Sequence, residues 1–450
     1  MSKENTTVKL TEGVIWKQLL IFAGPIILAN LFQQIYNTTN SFIVGNYVST
    51  DALSAVSATA SIENLFSYFF WGFSVASSIL VSHLYGSGDQ KKTCTAIETS
   101  IFMAFVIGIF LTIIGEIGAD LLLSFSNIRP DIYPLAELYI RVYMLGNVAV
   151  FLYNIIFFII RSLGDSKHPL NYLIYSCVLN ILMGVVFVKY LNMGVVGVAL
   201  ATVLSQLVVY FMALRLLKKM LPDIETNPLK IKIDPATVKR LFALAIPSSC
   251  QDMLIAISTY LVQAKINLFP NVAIAGIGVA IKIGWWIEMP MQGLATAEVS
   301  FVGQNLGAGK YDRLKESIRI CNILGAVVTL FTGTVVFLLA PQIVSLFDSD
   351  PTVIQYGTAM IRYTAYSYIP LTLSHVYNGT CRGGGNVRAP MVISVCTQAI
   401  FKYLFIAIGL AQSFDVRVIY LGTAVSYVLA GIVATIYFKT SSWTLEMHMR

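Results

Sequence analysis

The sequence predicts an all-α integral membrane protein with twelve transmembrane helices in two parallel six-helix lobes. Three observations lead to this fold class. Of the 450 residues, 56% are apolar and 12% are charged, and this charged fraction is about half that of an ordinary soluble domain. Apolar stretches long enough to cross a bilayer recur along the whole chain. The second half of the chain also repeats the pattern of the first.

Each apolar stretch is bounded by polar residues, glycine or proline and is predicted to be a membrane-spanning helix. At about 20 residues a span, the chain leaves no room for a sizeable soluble domain, which excludes most soluble enzymes. The spans of the first lobe are predicted at 14–38, 52–82, 94–119, 133–160, 170–190 and 194–217, and those of the second at 241–268, 273–304, 317–340, 352–380, 389–412 and 418–438. The predicted domains are lobes at 1–217 and 241–438, a basic cytoplasmic linker at 218–240 and a cytoplasmic tail at 439–450.

The distribution of basic residues predicts the orientation. An even number of spans places both termini on one side of the membrane. That side, with every second loop, holds 22 of the 30 Lys and Arg residues, whereas the opposite loops hold three. Because cytoplasmic loops carry such an excess, both termini are predicted to be cytoplasmic. The net charge of +7 is therefore interpreted as a topology signal, and no nucleic-acid partner is expected.

An internal duplication relates the two lobes. The segment that begins at Pro25 recurs from about Pro247, and a single offset of 221 residues aligns many identical residues. Aligned pairs include Gly72 with Gly293, Gly86 with Gly307, Gly88 with Gly309, Arg141 with Arg362, and Arg161 with Arg382. Because each repeat has six spans, the repeats share one orientation and are related by a pseudo-twofold axis along the membrane normal. Two such bundles are expected to enclose a midplane cavity and to rock about it, as in transporters.

The first predicted span carries a polar stripe. Its members are spaced three and four residues apart and so share one helix face. Polar side chains are costly against lipid, so the stripe is expected either to line a wet cavity or to contact a neighbouring helix. The stripe comprises Asn30, Gln33, Gln34, Asn37, Asn40 and Ser41, and the first five are the candidates for a substrate cavity.

Four acidic residues lie well inside predicted spans. Each would cost on the order of 3 kcal/mol at the bilayer centre without compensation, so all four are candidates for ion or proton coupling. Alternatively, Lys265 or Lys282 neutralises one of them in a buried pair. The candidates are Glu63, Asp252, Glu288 and Glu298.

The seventh and eighth predicted spans add candidates for a substrate cavity. These candidates lie on the same helix faces as Asp252 or Glu288, because they are spaced three or four residues apart. Trp285 provides an aromatic surface that suits flat or cationic ligands, although helix packing explains the tryptophan equally well. These cavity candidates are Thr259, Gln263, Lys282, Trp285 and Gln292.

The sequence contains no complete enzyme motif. The run from Gly307 to Lys310 resembles the end of a phosphate-binding loop, but Gln304 and Tyr311 replace its first glycine and its Ser/Thr. There is no metal-ligand cluster and no paired cysteine motif. We therefore expect no catalytic residue, no metal site and no cofactor other than a coupling ion. His375 stands alone in the tenth span and is expected to be a core residue.

At this point the chain resembles the multidrug and toxic-compound extrusion (MATE) transporters of bacteria. The resemblance runs nearly from end to end, and it depends on the order of several short segments. These are Thr11-Glu12-Gly13, Gln33-Gln34-Ile35-Tyr36-Asn37-Thr38, Arg161-Ser162-Leu163-Gly164-Asp165, Leu179-Asn180-Ile181, and Phe301-Val302-Gly303-Gln304-Asn305.

The resemblance implies a multi-pass antiporter in a bacterial plasma membrane. It would export small organic, often cationic compounds by alternating access, driven by inward movement of Na+ or H+, and it implies a place for Asn180 in the cavity. Asn40 and Gly184 stand where many relatives have aspartate, so two coupling groups are missing. An amide cannot titrate, but its oxygen can help to coordinate Na+. We expect the protein to act as a monomer embedded in the lipid bilayer.

Two other functions stay open at this stage. The first is a flippase or exporter of an anionic or lipid-linked metabolite, with Lys265, Lys282 and Lys402 as the basic residues within spans. The scarcity of such residues and the count of twelve spans disfavour it. The second is a non-transporting receptor or sensor, which the two-lobed repeat disfavours.

Overall fold

The computed structural model describes residues 8–125, 128–225, 231 and 233–441, and these are almost entirely helical. This confirms the predicted all-α membrane fold. Within the described residues, ten helices are long and apolar enough to cross a membrane, and the number is eleven if one bent helix pair is counted as a single span. The first seven helices are α1 (Ile15–Tyr47), α2 (Thr50–Gly86), α3 (Gln90–Phe125), α4 (Tyr133–Leu145), α5 (Asn147–Ser162), α6 (Lys167–Val185) and α7 (Gly194–Met220).

The described residues from 233 to 441 form nine helices, several of them joined end to end. A π-helical turn, Val395–Phe401, joins α14 to α15, and a similar turn in the first half of the chain, Val186–Tyr190, extends α6. A 3-10 turn, Ala365–Ser367, joins α12 to α13. The nine helices are α8 (Pro235–Ile266), α9 (Asn271–Gly307), α10 (Tyr311–Leu338), α11 (Ala340–Ser345), α12 (Pro351–Thr364), α13 (Tyr368–Gly383), α14 (Arg388–Ser394), α15 (Lys402–Gln412) and α16 (Arg417–Thr440).

The structure does not confirm the predicted count of twelve spans. The tenth predicted span, 352–380, is divided into α12 and α13, which have 14 and 16 residues. Neither piece alone has the roughly 20 residues that a span needs. The fourth predicted span, 133–160, is also broken, because α4 and α5 meet at an angle of 52° around Gly146.

The chain forms two compact units. The first unit contains Val8 and Leu28–Ser249, and the second contains Lys9–Ile27 and the chain from Cys250 onward. The division therefore passes within α1 and α8. The predicted lobes, 1–217 and 241–438, differ from these units mainly in the first halves of the same two helices.

Two equivalent glycines show why these half-helices pack as they do. In the first unit, a Cβ added to Gly72 of α2 would lie 2.5 Å from the backbone nitrogen of Ser249 in α8. The Ser249 hydroxyl also donates to the Phe69 carbonyl at 3.2 Å. In the second unit, a Cβ on Gly293 of α9 would lie 2.5 Å from the side chain of Ile27 in α1. Small residues thus allow close helix approach at equivalent places in both repeats.

Arg313 of α10 holds the segment before α1 within the second unit. Its guanidinium donates to the carbonyls of Gly13 and Leu10 at 2.8 and 3.2 Å and to Gln18 Oε1 at 2.8 Å. Asn305 Nδ2 donates to the same Leu10 carbonyl at 3.1 Å. The Leu10 side chain is fully buried. The segment from Leu10 to Gln18 and the segment from Asn305 to Arg313, which are nearly 300 residues apart, therefore belong to one hydrogen-bonded contact.

Gly72→Ala is expected to lower the free energy of unfolding by about 1–3 kcal/mol, because the Ser249 backbone cannot give way without moving α8. The matched control is Gly118→Ala, since a Cβ there meets no atom within 4 Å. Thermal unfolding followed by size-exclusion chromatography in detergent measures both variants. Equal unfolding midpoints for Gly72→Ala and Gly118→Ala would contradict the close approach of α2 and α8.

Candidate functional site

Glu63 lies half-buried on α2 of the first unit. Thr59, one turn earlier, donates to Glu63 Oε1 at 3.4 Å, and the Tyr139 hydroxyl of α4 is a second hydrogen-bond partner. Both partners are neutral, and within the described residues no cation forms an ion pair with Glu63. Because an uncompensated charge is costly inside a membrane protein, this environment favours the carboxylate with a proton or a cation bound.

Asp252 of α8 faces Arg382 of α13 in the second unit. Asp252 Oδ1 lies 3.9 Å from Arg382 Nη2, and the two side chains are 22% and 17% exposed. This separation is that of an ion pair without a direct hydrogen bond. The cation beside Asp252 is therefore Arg382, and neither Lys265 nor Lys282 forms an ion pair with Asp252 among the described residues.

Glu288 of α9 is the centre of a polar cluster within the second unit. His375 Nε2 of α13 lies 3.2 Å from Glu288 Oε1, and Gln292, one turn further along α9, donates to the same oxygen at 3.2 Å. Lys402, the first residue of α15, interacts electrostatically with Glu288, and its Nζ lies 5.6 Å from the ring centre of Tyr427. The carboxylate thus has two basic neighbours, one histidine and one lysine.

His375 does not stand alone, because its ring lies beside Glu288; that it is a core residue stays a prediction. Lys282, on the same helix as Glu288, is exposed and forms no ion pair with it among the described residues. Helix spacing identifies residues that share a face of one helix, but it does not show which residue of another helix approaches that face. The sequence feature that could have indicated these partners of Glu288 is the position of His375 and Lys402 inside apolar spans.

Glu298 of α9 is fully buried. Two neutral donors on α10 bind its oxygens, namely the Ser317 hydroxyl at 2.9 Å and the Cys321 thiol at 3.1 Å. The equivalent residue in the first repeat is Ser77, whose buried hydroxyl has no partner within the described part of the chain. Glu298 therefore connects α9 to α10 in a way that the first repeat does not copy.

Amide side chains in the first unit converge on Thr202 of α7. Asn40 of α1 and Asn180 of α6 donate to Thr202 Oγ1 at 3.4 and 3.2 Å. The carbonyl oxygens of both amides are buried without a hydrogen-bond donor among the described residues, and so is Oε1 of Gln206. Carbonyl oxygens of this kind can coordinate a cation or accept a hydrogen bond from a water molecule. The cluster brings Asn40 and Asn180 together, although the sequence did not single out Thr202 or Gln206.

Of the remaining stripe residues, those with described side chains do not join this cluster. Asn30 is half-buried, and Gln33 and Gln34 are exposed. The side chain of Asn37 lies outside the described part of the structure. A cavity lined by this stripe stays a prediction.

The other cavity candidates on α8 and α9 make local contacts. Thr259 donates to the carbonyl one turn before it at 3.0 Å, and Gln263 donates to Asn267 at 2.9 Å. Lys282 and Trp285 are exposed. Of the predicted set on these two helices, only Glu288 and Gln292 are hydrogen-bonded to each other among the described side chains.

Long apolar helices that enclose compensated charges are typical of a multi-pass membrane transporter. The MatE family model matches residues 25–186 and again residues 247–408. The chain belongs to this family, the MATE multidrug efflux transporters, which confirms the resemblance. Two matches of one model also confirm the internal duplication.

The chain is similar to curated bacterial proteins over nearly its whole length. It is 26% identical over 442 residues to a probable multidrug resistance protein, YpnP, of Bacillus subtilis, covering 96% of this chain and 97% of that protein. It is 22% identical over 405 residues to the multidrug export protein MepA of Staphylococcus haemolyticus, with coverage of 90% and 89%.

The fold is similar to that of a crystal structure of a MATE protein in its bent conformation. The TM-score is 0.90 at 19% identity, over 98% of this chain and 100% of the other. At this identity the similarity establishes the fold alone, and it confirms the predicted two-lobed architecture.

Arg382→Gln is expected to lower the yield of folded protein, because it leaves the Asp252 charge without its cation; breaking such pairs costs about 3–5 kcal/mol when they are fully buried, and less here. The double variant Asp252→Asn/Arg382→Gln removes both charges and should recover much of the lost stability. Unfolding midpoints in detergent measure the cycle. Strictly additive effects of the two substitutions would show that the ion pair contributes nothing.

Proposed function

We propose that the protein is an antiporter, driven by Na+ or H+, that exports organic cationic or amphipathic compounds across a bacterial plasma membrane by alternating access. Membership of the MATE family supports export of this class of compound. The observation that carries the coupling is the position of Glu288, a carboxylate inside a membrane helix with His375 and Lys402 beside it. Both termini are proposed to be cytoplasmic, and the protein to act as a monomer.

Charge balance explains how this cluster would couple to a proton. With Glu288 ionised, Lys402 protonated and His375 neutral, the cluster has no net charge. One further proton, on either Glu288 or His375, gives a net charge of +1 in a region of low dielectric constant, where an unbalanced charge is costly. The proton therefore favours whichever conformation best solvates or compensates that charge. A ligand shifts such an equilibrium only by the difference in its affinity for the two conformations.

The amide cluster supports Na+ as the alternative coupling ion. Asn40, Asn180 and Gln206 supply three buried carbonyl oxygens without donors among the described residues, and oxygen ligands suit hard cations. These groups cannot take up a proton themselves. The two clusters thus support different ions, which a transport measurement distinguishes.

The competing function, export of an anionic or lipid-linked metabolite, gains no support from the cluster around Glu288. Lys402 was one of three lysines available inside spans to hold an anion, and it interacts with the Glu288 carboxylate. Its charge is therefore already compensated within the second unit.

Efflux of a fluorescent organic cation from proteoliposomes, with an imposed pH gradient or an imposed Na+ gradient, tests the proposal. One gradient is expected to accelerate efflux. Glu288→Gln should reduce acceleration by a pH gradient at least about tenfold, since loss of a buried charge partner exceeds 1.4 kcal/mol. Exchange of substrate without a gradient should persist in this variant. Glu12→Gln, which changes an exposed carboxylate, is the control.

Failure of folded wild-type protein to respond to either gradient would contradict coupled antiport. A pH-driven response that is unchanged in Glu288→Gln would retain antiport but remove Glu288 from it. A response to Na+ alone would direct attention to Asn40, Asn180 and Gln206.

A further inference from the structure

Arg141 and Arg362 occupy equivalent positions in the two repeats, but their surroundings differ. In the first unit, Arg141 of α4 has three carboxylate partners. Its Nε donates to Glu137 at 2.9 Å and its Nη2 donates to Asp120 at 3.0 Å, while Nη1 lies 3.5 Å from Glu116 Oε2. Arg141 is thus more than neutralised by residues of its own unit.

The second repeat keeps the arginine and replaces all three carboxylates by uncharged residues. Glu116, Asp120 and Glu137 correspond at the same offset to Phe337, Pro341 and Thr358. The Arg362 guanidinium lies 5.7 Å from the ring centre of Phe337. Within the described residues it forms no ion pair. One arginine of the duplicated pair therefore lacks the negative charge that its counterpart has.

A pocket of about 350 Å³ lies beside Arg362. Arg362, Thr358, Gln355 and Pro341 line it together with apolar residues. Thr358 is 8% exposed, and its buried hydroxyl has no hydrogen-bond partner among the described residues. The pocket thus contains an unpaired guanidinium and an unsatisfied hydroxyl at the positions where the first unit has an arginine and a glutamate.

We propose that this pocket binds a phosphate group, which supplies the negative charge that Glu116, Asp120 and Glu137 supply around Arg141. A guanidinium matches phosphate oxygens in a bidentate geometry. The hydroxyl of Thr358 and the amide of Gln355 are donors for the remaining oxygens. The inference concerns binding and does not depend on the proposed antiport.

Exposed apolar side chains within six residues of Pro341 in the sequence indicate the source of the phosphate. Leu338, Leu346 and Phe347, which belong to or follow α10 and α11, are 64%, 83% and 54% exposed. Such side chains suit the acyl chains of a lipid whose headgroup enters the pocket. An anionic phospholipid is therefore the favoured source, and free phosphate is the other source of the same chemistry. By the predicted topology this end of the unit faces the outer leaflet.

Native mass spectrometry of the detergent-purified full chain tests the site, with phosphatidylglycerol and a diacylglycerol of the same acyl chains as probes. The wild type is expected to retain one phosphatidylglycerol at least about tenfold more tightly than the diacylglycerol, the effect of one charge-assisted contact. Arg362→Gln should abolish this preference. Thr358→Glu should also abolish it, because it restores the carboxylate found four residues before Arg141.

Arg417→Gln is the matched control, since Arg417 is an exposed arginine that already pairs with Asp415 at 2.9 Å. It should bind phosphatidylglycerol like the wild type. Size-exclusion profiles show whether each variant is folded, and Arg362→Gln keeps the test valid if Thr358→Glu does not fold.

Inorganic phosphate separates the two sources. A rise in the unfolding midpoint with millimolar phosphate in the wild type but not in Arg362→Gln, without a preference for phosphatidylglycerol, would assign the site to free phosphate. The proposal is overturned if Arg362→Gln and the wild type bind phosphatidylglycerol equally and phosphate has no effect that depends on Arg362.

Discussion

The compensation of charge inside a low-dielectric environment is the constraint on which the rest of this structure depends. An uncompensated charge within a membrane-spanning helix is expensive, so a charged residue that persists there requires a partner from another helix. Asp252 and Arg382 connect α8 to α13. Glu288 connects α9 to α13 through His375 and to α15 through Lys402. Because apolar contacts alone distinguish little between helix and lipid, these polar pairs help to determine which helices pack together.

The duplication distinguishes residues that the fold requires, which both repeats share, from residues that differ between the two units. Gly72 and Gly293 are kept because both admit a neighbouring helix at a distance that a larger side chain would prevent. Gly88 and Gly309 are kept at tight turns, where their φ values of 77° and 69° lie in the left-handed region that glycine adopts without strain. The charged residues do not follow the same symmetry. Glu298 has a serine as its counterpart, so the two repeats share a backbone arrangement and differ in their electrostatics.

Much of the fold could be predicted from the sequence. The thickness of the bilayer determines the length of an apolar span, and the repetition of six spans indicates that the two repeats have the same orientation. The division within α1 and α8 could not be predicted, since it depends on the close approaches at Gly72 and Gly293. The candidate site was predictable only in part. Glu288 was evident as a charge in an apolar span, but its partners His375 and Lys402 come from helices about 90 and 110 residues further along the chain. No periodicity within one helix reports such a contact.

The two polar clusters differ in the chemistry of their side chains. The first unit presents Asn40 and Asn180 around Thr202, and neutral amides can bind a metal cation but cannot take up a proton. The second unit presents a carboxylate beside a histidine, and both of these side chains have a protonated and an unprotonated form. A proton-coupled cycle must therefore use the second unit or Glu63, whereas a Na+-coupled cycle can use the amides of the first. With Asn40 in place of an expected aspartate, the amide cluster of the first unit has oxygens that can bind a metal cation but no carboxylate that can take up a proton.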